Sequence, residues 1–255
     1  GDSLTEGLCD TSRMPAGEYR GWADRLALLL ALASPAAEPV QYANLAVRSR
    51  KVADAVDVQL PLAVTQGADL VSVLVGANDL VGRRADAAEQ AVGAVRRAGA
   101  DVLLVTPFMP RRPASRLFET RFATFAERLA GIAEGDTGVL LLDVRAHPGI
   151  VDPAMWAADR VHLNSAGHRA LAYEAARVLG VPDAAELARL EQAVHDDGAA
   201  ADRLVGDGEW LARHAAPWVL RRLRGRTAGD GLDPKRPTLE AVDAGSRRGG
   251  GVDAN

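Results

Sequence analysis

Two patterns of apolar and polar residues alternate along this chain. Short runs rich in Val and Leu have the composition of strands covered on both faces of a parallel sheet. These runs lie at residues 40–45, 69–75, 101–106 and 139–144. Longer segments with apolar residues at helical spacing lie at residues 19–33, 49–64, 85–98, 115–133 and 166–179. The alternation predicts an α/β fold of three layers, with a central parallel sheet between helices.

The chain beyond residue 181 follows a different pattern. Residues 182–195 and 209–223 are predicted helices, and the second carries Trp210, His214 and Trp218 on one stripe among many arginines. This stripe packs on the preceding domain or a neighbouring helix, or else the basic helix binds a membrane surface or an acidic partner. From residue 227 onward Gly, Pro, Arg and Asp dominate, which predicts disorder. We therefore divide the chain into a globular domain (1–181), a helical extension (182–226) and a disordered tail (227–255).

The composition of the chain argues against several kinds of binding partner and structural site. A net charge of −4 gives no reason to expect binding to nucleic acid. No apolar stretch reaches the roughly 18 to 20 residues of an integral membrane segment. The single cysteine, Cys9, excludes an intramolecular disulfide and leaves too few thiolates for a Cys-based zinc site. No signal peptide is visible, which favours a cytoplasmic protein, although a segment lost before residue 1 could have carried one.

The sequence lacks the common motifs for binding a cofactor or a metal ion. It contains no Walker phosphate loop, no G-x-G-x-x-G after a strand and no His-Glu-x-x-His. The histidines other than His162 have no partners at the spacing of metal ligands. We therefore expect neither a cofactor nor a metal ion.

Residues suited to nucleophilic catalysis occur in two short motifs. The chain opens with the letters GDSL, and DRVH follows at residues 159–162, just ahead of the last predicted helix of the domain. A serine hydroxyl is a weak nucleophile until a base takes its proton, and imidazole titrates near neutral pH. Ser3 as nucleophile, His162 as base and Asp159 as the partner of His162 would complete such a set.

Four fragments together resemble a known family. After the opening GDSLTEG come NLAVRS at residues 44–49, GAND at residues 76–79 and the DRVHLN that starts at residue 159. In order and spacing, over roughly residues 1 to 180, these pieces resemble the SGNH (GDSL-type) hydrolases. The resemblance implies a flavodoxin-like three-layer fold and a serine ester hydrolase, of the carboxylesterase or lipase type, that acts on a small-molecule acyl ester through an acyl-enzyme, without a cofactor.

The same resemblance implies roles for individual residues. Ser3, Asp159 and His162 would form the catalytic triad. The oxyanion hole would consist of the Ser3 N–H, the Ser49 N–H and the side-chain amide of Asn78. Ser49 stands where the family usually has a glycine, so it keeps the N–H donor, although only glycine reaches positive φ freely.

Departures from the family leave alternatives open. In the family a hydrophobic strand leads into the Gly-Asp-Ser turn, so we expect the chain to be truncated at its N-terminus and to lack this first strand. Otherwise residue 1 is a true start and another segment fills the gap. The alternatives to a hydrolase are a non-catalytic or degenerate member that binds an acylated ligand, and an acyltransferase on the same triad.

Overall fold

The centre of the fold is a three-stranded parallel sheet with helices packed on both faces. The computed structural model describes residues 1–12, 14–35, 38–79, 85–186 and 227–243. The α-helices are α1 (Ser3–Glu6), α2 (Gly21–Ala33), α3 (Val52–Asp54), α4 (Leu60–Thr65), α5 (Ala85–Arg97), α6 (Glu119–Gly135) and α7 (Ser165–Val178). A π-helical turn (Ala55–Gln59) joins α3 to α4, and short 3-10 turns lie at Pro113–Leu117, Val144–Ala146 and Pro153–Met155. The strands are β1 (Gln41–Asn44), β2 (Leu70–Val73), β3 (Asp101–Val105), β4 (Val139–Leu142) and β5 (Arg236–Ala241).

Strand β3 lies between β2 and β4 and carries the core on both of its faces. Leu103 and Val105 belong to the apolar cluster that includes α2 and α7, whereas Val102 and Leu104 belong to the cluster that includes α5 and α6. All four side chains are almost completely buried, and burying each contributes about 1.5 to 3 kcal/mol. The predicted three-layer α/β/α fold is therefore confirmed.

Strand β1 has a different partner from the one that the sequence suggested. Residues 40–45 were expected in the parallel sheet, but β1 pairs antiparallel with β5, with Gln41 opposite Ala241 and Tyr42 opposite Glu240. The prediction of a disordered tail over residues 227–255 is therefore wrong for residues 236–241. Composition indicated disorder because it takes no account of long-range strand pairing.

A lysine attaches the segment before β5 to the rest of the domain. The ammonium of Lys235 donates to the carbonyls of Tyr19 and Arg20 at 3.0 and 2.7 Å, and it lies 2.6 Å from a carboxylate oxygen of Asp24. These contacts hold the segment against the start of α2, where it can align β5 with β1.

Most of the predicted extension lies outside the described residues. Of the helix predicted at residues 182–195, only residues up to 186 are described, and residues 184–186 are helical. The basic helix predicted at 209–223 lies entirely outside them, so the division at residue 181 stays a prediction. Among the helices of the described residues, none has the length and apolar character needed to cross a bilayer.

His168 connects α7 to α2 and to the segment after α1. It is completely buried, and its Nδ1 accepts the backbone N–H of Trp22 at 3.2 Å. The proton of the neutral ring therefore lies on Nε2, which is 3.0 Å from the carbonyl oxygen of Leu8. Burial lowers the pKa of His168 to about 4, because the charged ring would lose its hydration.

The buried neutral state of His168 predicts a specific loss of stability in acid. In the unfolded chain this histidine binds a proton near pH 6.5, but in the folded chain only near pH 4. Between these values the unfolded state binds more protons, so stability falls as pH falls. Urea unfolding at several pH values measures this loss. Between pH 7.5 and 4, the free energy of unfolding of wild type should fall by about 3 kcal/mol more than that of His168→Gln. If the free energies of unfolding of the two proteins changed with pH in parallel, His168 would not be the buried neutral group described here.

Candidate active site

A short closed loop carries Asp159 and His162 to the start of α7. An isolated antiparallel bridge between Trp156 and Leu163 closes the loop, and the N–H of Ala157 donates to the carbonyl of His162 at 2.9 Å. Directly after it, Asn164 caps α7 with its side chain. The bridge and the capped helix fix both ends of the loop, so its side chains have a defined position.

Within this loop, Asp159 uses both carboxylate oxygens. Oδ1 accepts the backbone N–H groups of Val161 and His162 at 3.0 Å each, and Oδ2 lies 2.5 Å from His162 Nδ1. Arg160 takes up a left-handed conformation with φ of 58°, which turns the chain tightly enough for these contacts. Burial by itself would favour the acid form, but the hydrogen bond and charge of His162 and the two N–H groups outweigh it. They lower the pKa of Asp159 to about 2.

Ser3 is the first residue of α1 and is half-buried. Asp2 caps this helix by accepting the N–H of Leu4 at 3.0 Å. The helix lies between two strand ends, because Asn44 of β1 donates to the Thr5 carbonyl and the Thr5 hydroxyl contacts the carbonyl of Leu74, just beyond β2.

The loop of Asp159 and His162 lies beside the segment that carries Ser3. Burial raises the pKa of Asp2 to about 6, and His162 is among the charges that oppose this rise, so its ring is within electrostatic range of Asp2. Cys9, which follows α1, places its thiol 3.7 Å from Asp159 Oδ2. Among the described residues, no hydrogen bond joins the Ser3 hydroxyl to His162. The structure thus brings Asp159 and His162 into contact, with Ser3 on the neighbouring segment.

Ser49 lies in the loop after β1 and has a φ of 67°. A residue other than glycine pays roughly 1 to 2 kcal/mol for this left-handed conformation. The residue before Ser49, Arg48, helps to fix this conformation. The carboxylate of Glu6 accepts the backbone N–H of Arg48 at 2.6 Å and also binds the Arg48 guanidinium. Glu6 is on α1, so this pair ties the Ser49 loop to the helix of Ser3.

Two further groups pack against the same loop. The guanidinium carbon of Arg48 lies 5.8 Å from the ring centroid of Tyr19, which is cation–π distance. A Cβ built on Gly229 would come within 2.0 Å of the Arg48 carbonyl oxygen, so the chain before β5 lies directly against the loop. Arg48 is therefore in contact with Glu6, with the ring of Tyr19 and with the chain at Gly229.

Asn78 is in the turn after β2 and links the other loops. Its side-chain amide donates to the carbonyl of Arg50 at 3.0 Å and to Asp2 Oδ2 at 3.3 Å. The next residue, Asp79, accepts the N–H of Val52 at 3.0 Å. The hydrogen bond to Asp2 is the longer of the two that this side chain donates. A new acceptor can therefore displace it more readily than the hydrogen bond to Arg50.

The three predicted oxyanion donors differ in their availability. In the part of the chain that the structure describes, the N–H groups of Ser3 and Ser49 have no protein acceptor, so both remain available to a ligand. The Asn78 amide is already engaged by two protein acceptors. The N–H groups of Ser3 and Ser49 are thus the two predicted donors that could bind an oxyanion without first losing a protein acceptor.

Sequence reasoning missed the roles of Glu6, Arg48 and Cys9. Glu6 and Arg48 are 42 residues apart, and Cys9 and Asp159 are 150 apart. Neither distance corresponds to a motif, and opposite charge alone does not select one pair among many. These contacts follow from how the loops meet at one end of the sheet.

Comparison with known proteins gives a family and a fold. The model of the GDSL-like Lipase/Acylhydrolase family matches residues 1–170. A single-substitution variant of Axe2, an acetyl xylan esterase from Geobacillus stearothermophilus, is 22% identical, with a TM-score of 0.58 over 71% of this chain and 92% of its own. LAE5, an alpha/beta hydrolase enzyme from the metagenome of Lake Arreo, Spain, is 21% identical, with a TM-score of 0.58 over 71% of this chain and 93% of its own. No curated protein gives a significant match.

The backbone of Ser49 yields a prediction about stability. Ser49→Gly removes the Cβ that makes a φ of 67° costly, whereas Ser49→Ala keeps the Cβ and removes only the hydroxyl. Because glycine also gains freedom in the unfolded chain, part of the gain is lost. We expect Ser49→Gly to be more stable than Ser49→Ala by about 1 kcal/mol in urea unfolding. Equal stability, or a less stable glycine variant, would show that position 49 is not strained.

Proposed function

The chain belongs to the GDSL-like lipase/acylhydrolase family and is an ester-bond hydrolase, and we propose that it works by acyl transfer to Ser3, with His162 as base and Asp159 as its partner. The observation that carries this proposal is the 2.5 Å contact between Asp159 Oδ2 and His162 Nδ1. The substrate we propose is a small-molecule acyl ester, and the protein is proposed to be cytoplasmic.

Asp159 prepares His162 for the role of base. With a pKa of about 2, its carboxylate is ionised at neutral pH and accepts the Nδ1 proton of the ring. A neutral imidazole that carries its proton on Nδ1 has its lone pair on Nε2, which is the atom that takes a proton from serine. When the ring becomes positively charged, the same carboxylate stabilises it.

In the proposed reaction the acyl group passes first to Ser3 and then to water. His162 takes the hydroxyl proton as Ser3 Oγ attacks the ester carbon, and a tetrahedral oxyanion forms. The intermediate collapses as His162 returns this proton to the leaving alcohol. A water molecule then repeats both steps on the acyl-enzyme, which releases the acid and restores Ser3. Among the described residues Ser3 and His162 share no hydrogen bond, which fits a site whose catalytic contacts form only when substrate binds.

The donors for the oxyanion would be the N–H groups of Ser3 and Ser49, joined by the Asn78 amide. The first two have no competing protein acceptor among the described residues, and the oxyanion would displace the 3.3 Å contact of Asn78 with Asp2. Such donors contribute most when they are fixed before the reaction begins. The Glu6–Arg48 pair serves this purpose, because it holds the residue next to Ser49 against the helix of Ser3.

An acyltransferase on the same triad is the second candidate. It would share every step up to the acyl-enzyme and would differ only in the acceptor, which would be an alcohol in place of water. A degenerate member that only binds an acylated ligand would form no acyl-enzyme. The experiment therefore needs to detect both the intermediate and its breakdown.

We expect the wild-type protein to hydrolyse an activated acetate ester and to gain one acetyl group on Ser3 in a rapid-quench mass spectrum. Ser3→Ala and His162→Gln should each lower kcat/KM by about 1,000-fold or more. Ser34→Ala and His147→Gln change the same residue types away from the site, so they should keep wild-type kinetics. Wild-type rates in folded Ser3→Ala would overturn the proposal. Ester binding without acetylation of Ser3 would indicate the degenerate alternative.

A further inference from the structure

Three side chains of different chemistry meet beside the candidate base. Cys9, Asp159 and His162 each place one potential ligand atom within 4.8 Å of those of the other two. The thiol is 3.7 Å from Asp159 Oδ2, and the same oxygen is 2.5 Å from His162 Nδ1. All three side chains are half-buried, so a small solute can reach them.

We propose that Cys9, Asp159 and His162 form a binding site for a thiophilic divalent cation such as Zn²⁺, and that an ion bound there switches the hydrolase off. The binding part of this inference stands on the three side chains alone. The switching part rests on the proposed function, because it requires His162 to be the base. Sequence alone predicted no metal, since Cys9 is far in sequence from both partners.

The donor set suits zinc in type and charge. Thiolate, imidazole and carboxylate are its usual protein ligands, and three of them plus a water complete a tetrahedral site. On binding, the Cys9 thiol releases its proton, so thiolate and carboxylate together offset the two positive charges of the ion. The Arg48 guanidinium is within electrostatic range of Cys9, and its pairing with Glu6 reduces its repulsion of an incoming cation.

The distances explain why binding would stop catalysis. Two ligands of one tetrahedral zinc ion lie roughly 3.3 to 3.6 Å apart, given bond lengths of about 2.0 to 2.3 Å. The separation of Cys9 Sγ and Asp159 Oδ2 is close to this range. The contact between Asp159 and His162 is too short and must open, and the Nδ1 proton must leave if the ion takes that nitrogen. The ion would therefore replace the hydrogen bond that prepares His162 as a base.

Direct binding is tested with Cd²⁺, because a cadmium–thiolate bond gives an ultraviolet charge-transfer band. We expect the wild-type chain to bind one Cd²⁺ with this band, and Zn²⁺ to compete for the same site. Cys9→Ser should lose the band, and its affinity for Zn²⁺ by calorimetry should fall about 100-fold or more. Asp159→Asn should retain the band but bind more weakly. His147→Gln, which changes a histidine paired with Glu174 elsewhere, should bind like wild type.

The effect on activity is measured on the same proteins, each relative to its own metal-free rate. Zn²⁺ should inhibit wild type at the concentrations that fill the site, a chelator should restore the rate, and Cys9→Ser should need about 100-fold more Zn²⁺. No thiolate band in the wild type, or equal inhibition of wild type and Cys9→Ser, would overturn the inference. A thiolate band in a protein without esterase activity would leave the metal site standing and would reject the proposed function instead.

Discussion

The hydrogen bond between Asp159 and His162 is the interaction on which this site depends. It exists because the loop of residues 157–162 is closed at both ends and because Arg160 accepts a left-handed backbone. The carboxylate is held by two backbone N–H groups as well as by the imidazole, so it stays ionised over the whole physiological range. An ionised partner fixes the tautomer of His162, and only that tautomer leaves Nε2 free to accept a proton.

Helix α1 organises the rest of the site, although it contains only four residues. Asp2 caps its start, Ser3 occupies its first position, and Glu6 at its end binds the loop that carries Ser49. The segment after it meets both Asp159 and His168. The proposed nucleophile, the loop of Ser49 and the loop of the proposed base thus all meet this short helix or the segment directly after it. A change in α1 would consequently disturb all three together.

The sequence predicted the elements whose signals are local. Alternating apolar runs and amphipathic segments predicted the three layers, because residues 102–105 of β3 are all apolar and are buried on both faces of the sheet. Asp159 and His162 could be predicted as partners because they lie three residues apart in one motif. The pairing of β1 with β5, the Glu6–Arg48 pair and the approach of Cys9 to Asp159 could not be predicted, since each joins residues that are distant in sequence and that carry no shared motif. Ser49 could be identified as a replaced glycine, but its φ of 67° needed the structure.

The proposed mechanism requires Ser3 to be a nucleophile that the Asp159–His162 pair activates. The most direct test is to treat the folded protein with a fluorophosphonate, map the adduct by mass spectrometry and compare labelling rates in wild type and Asp159→Asn. We expect one adduct, on Ser3, that forms far more slowly in the variant because its histidine loses the correct tautomer. An adduct on another residue, or equal rates of Ser3 labelling in both proteins, would contradict it.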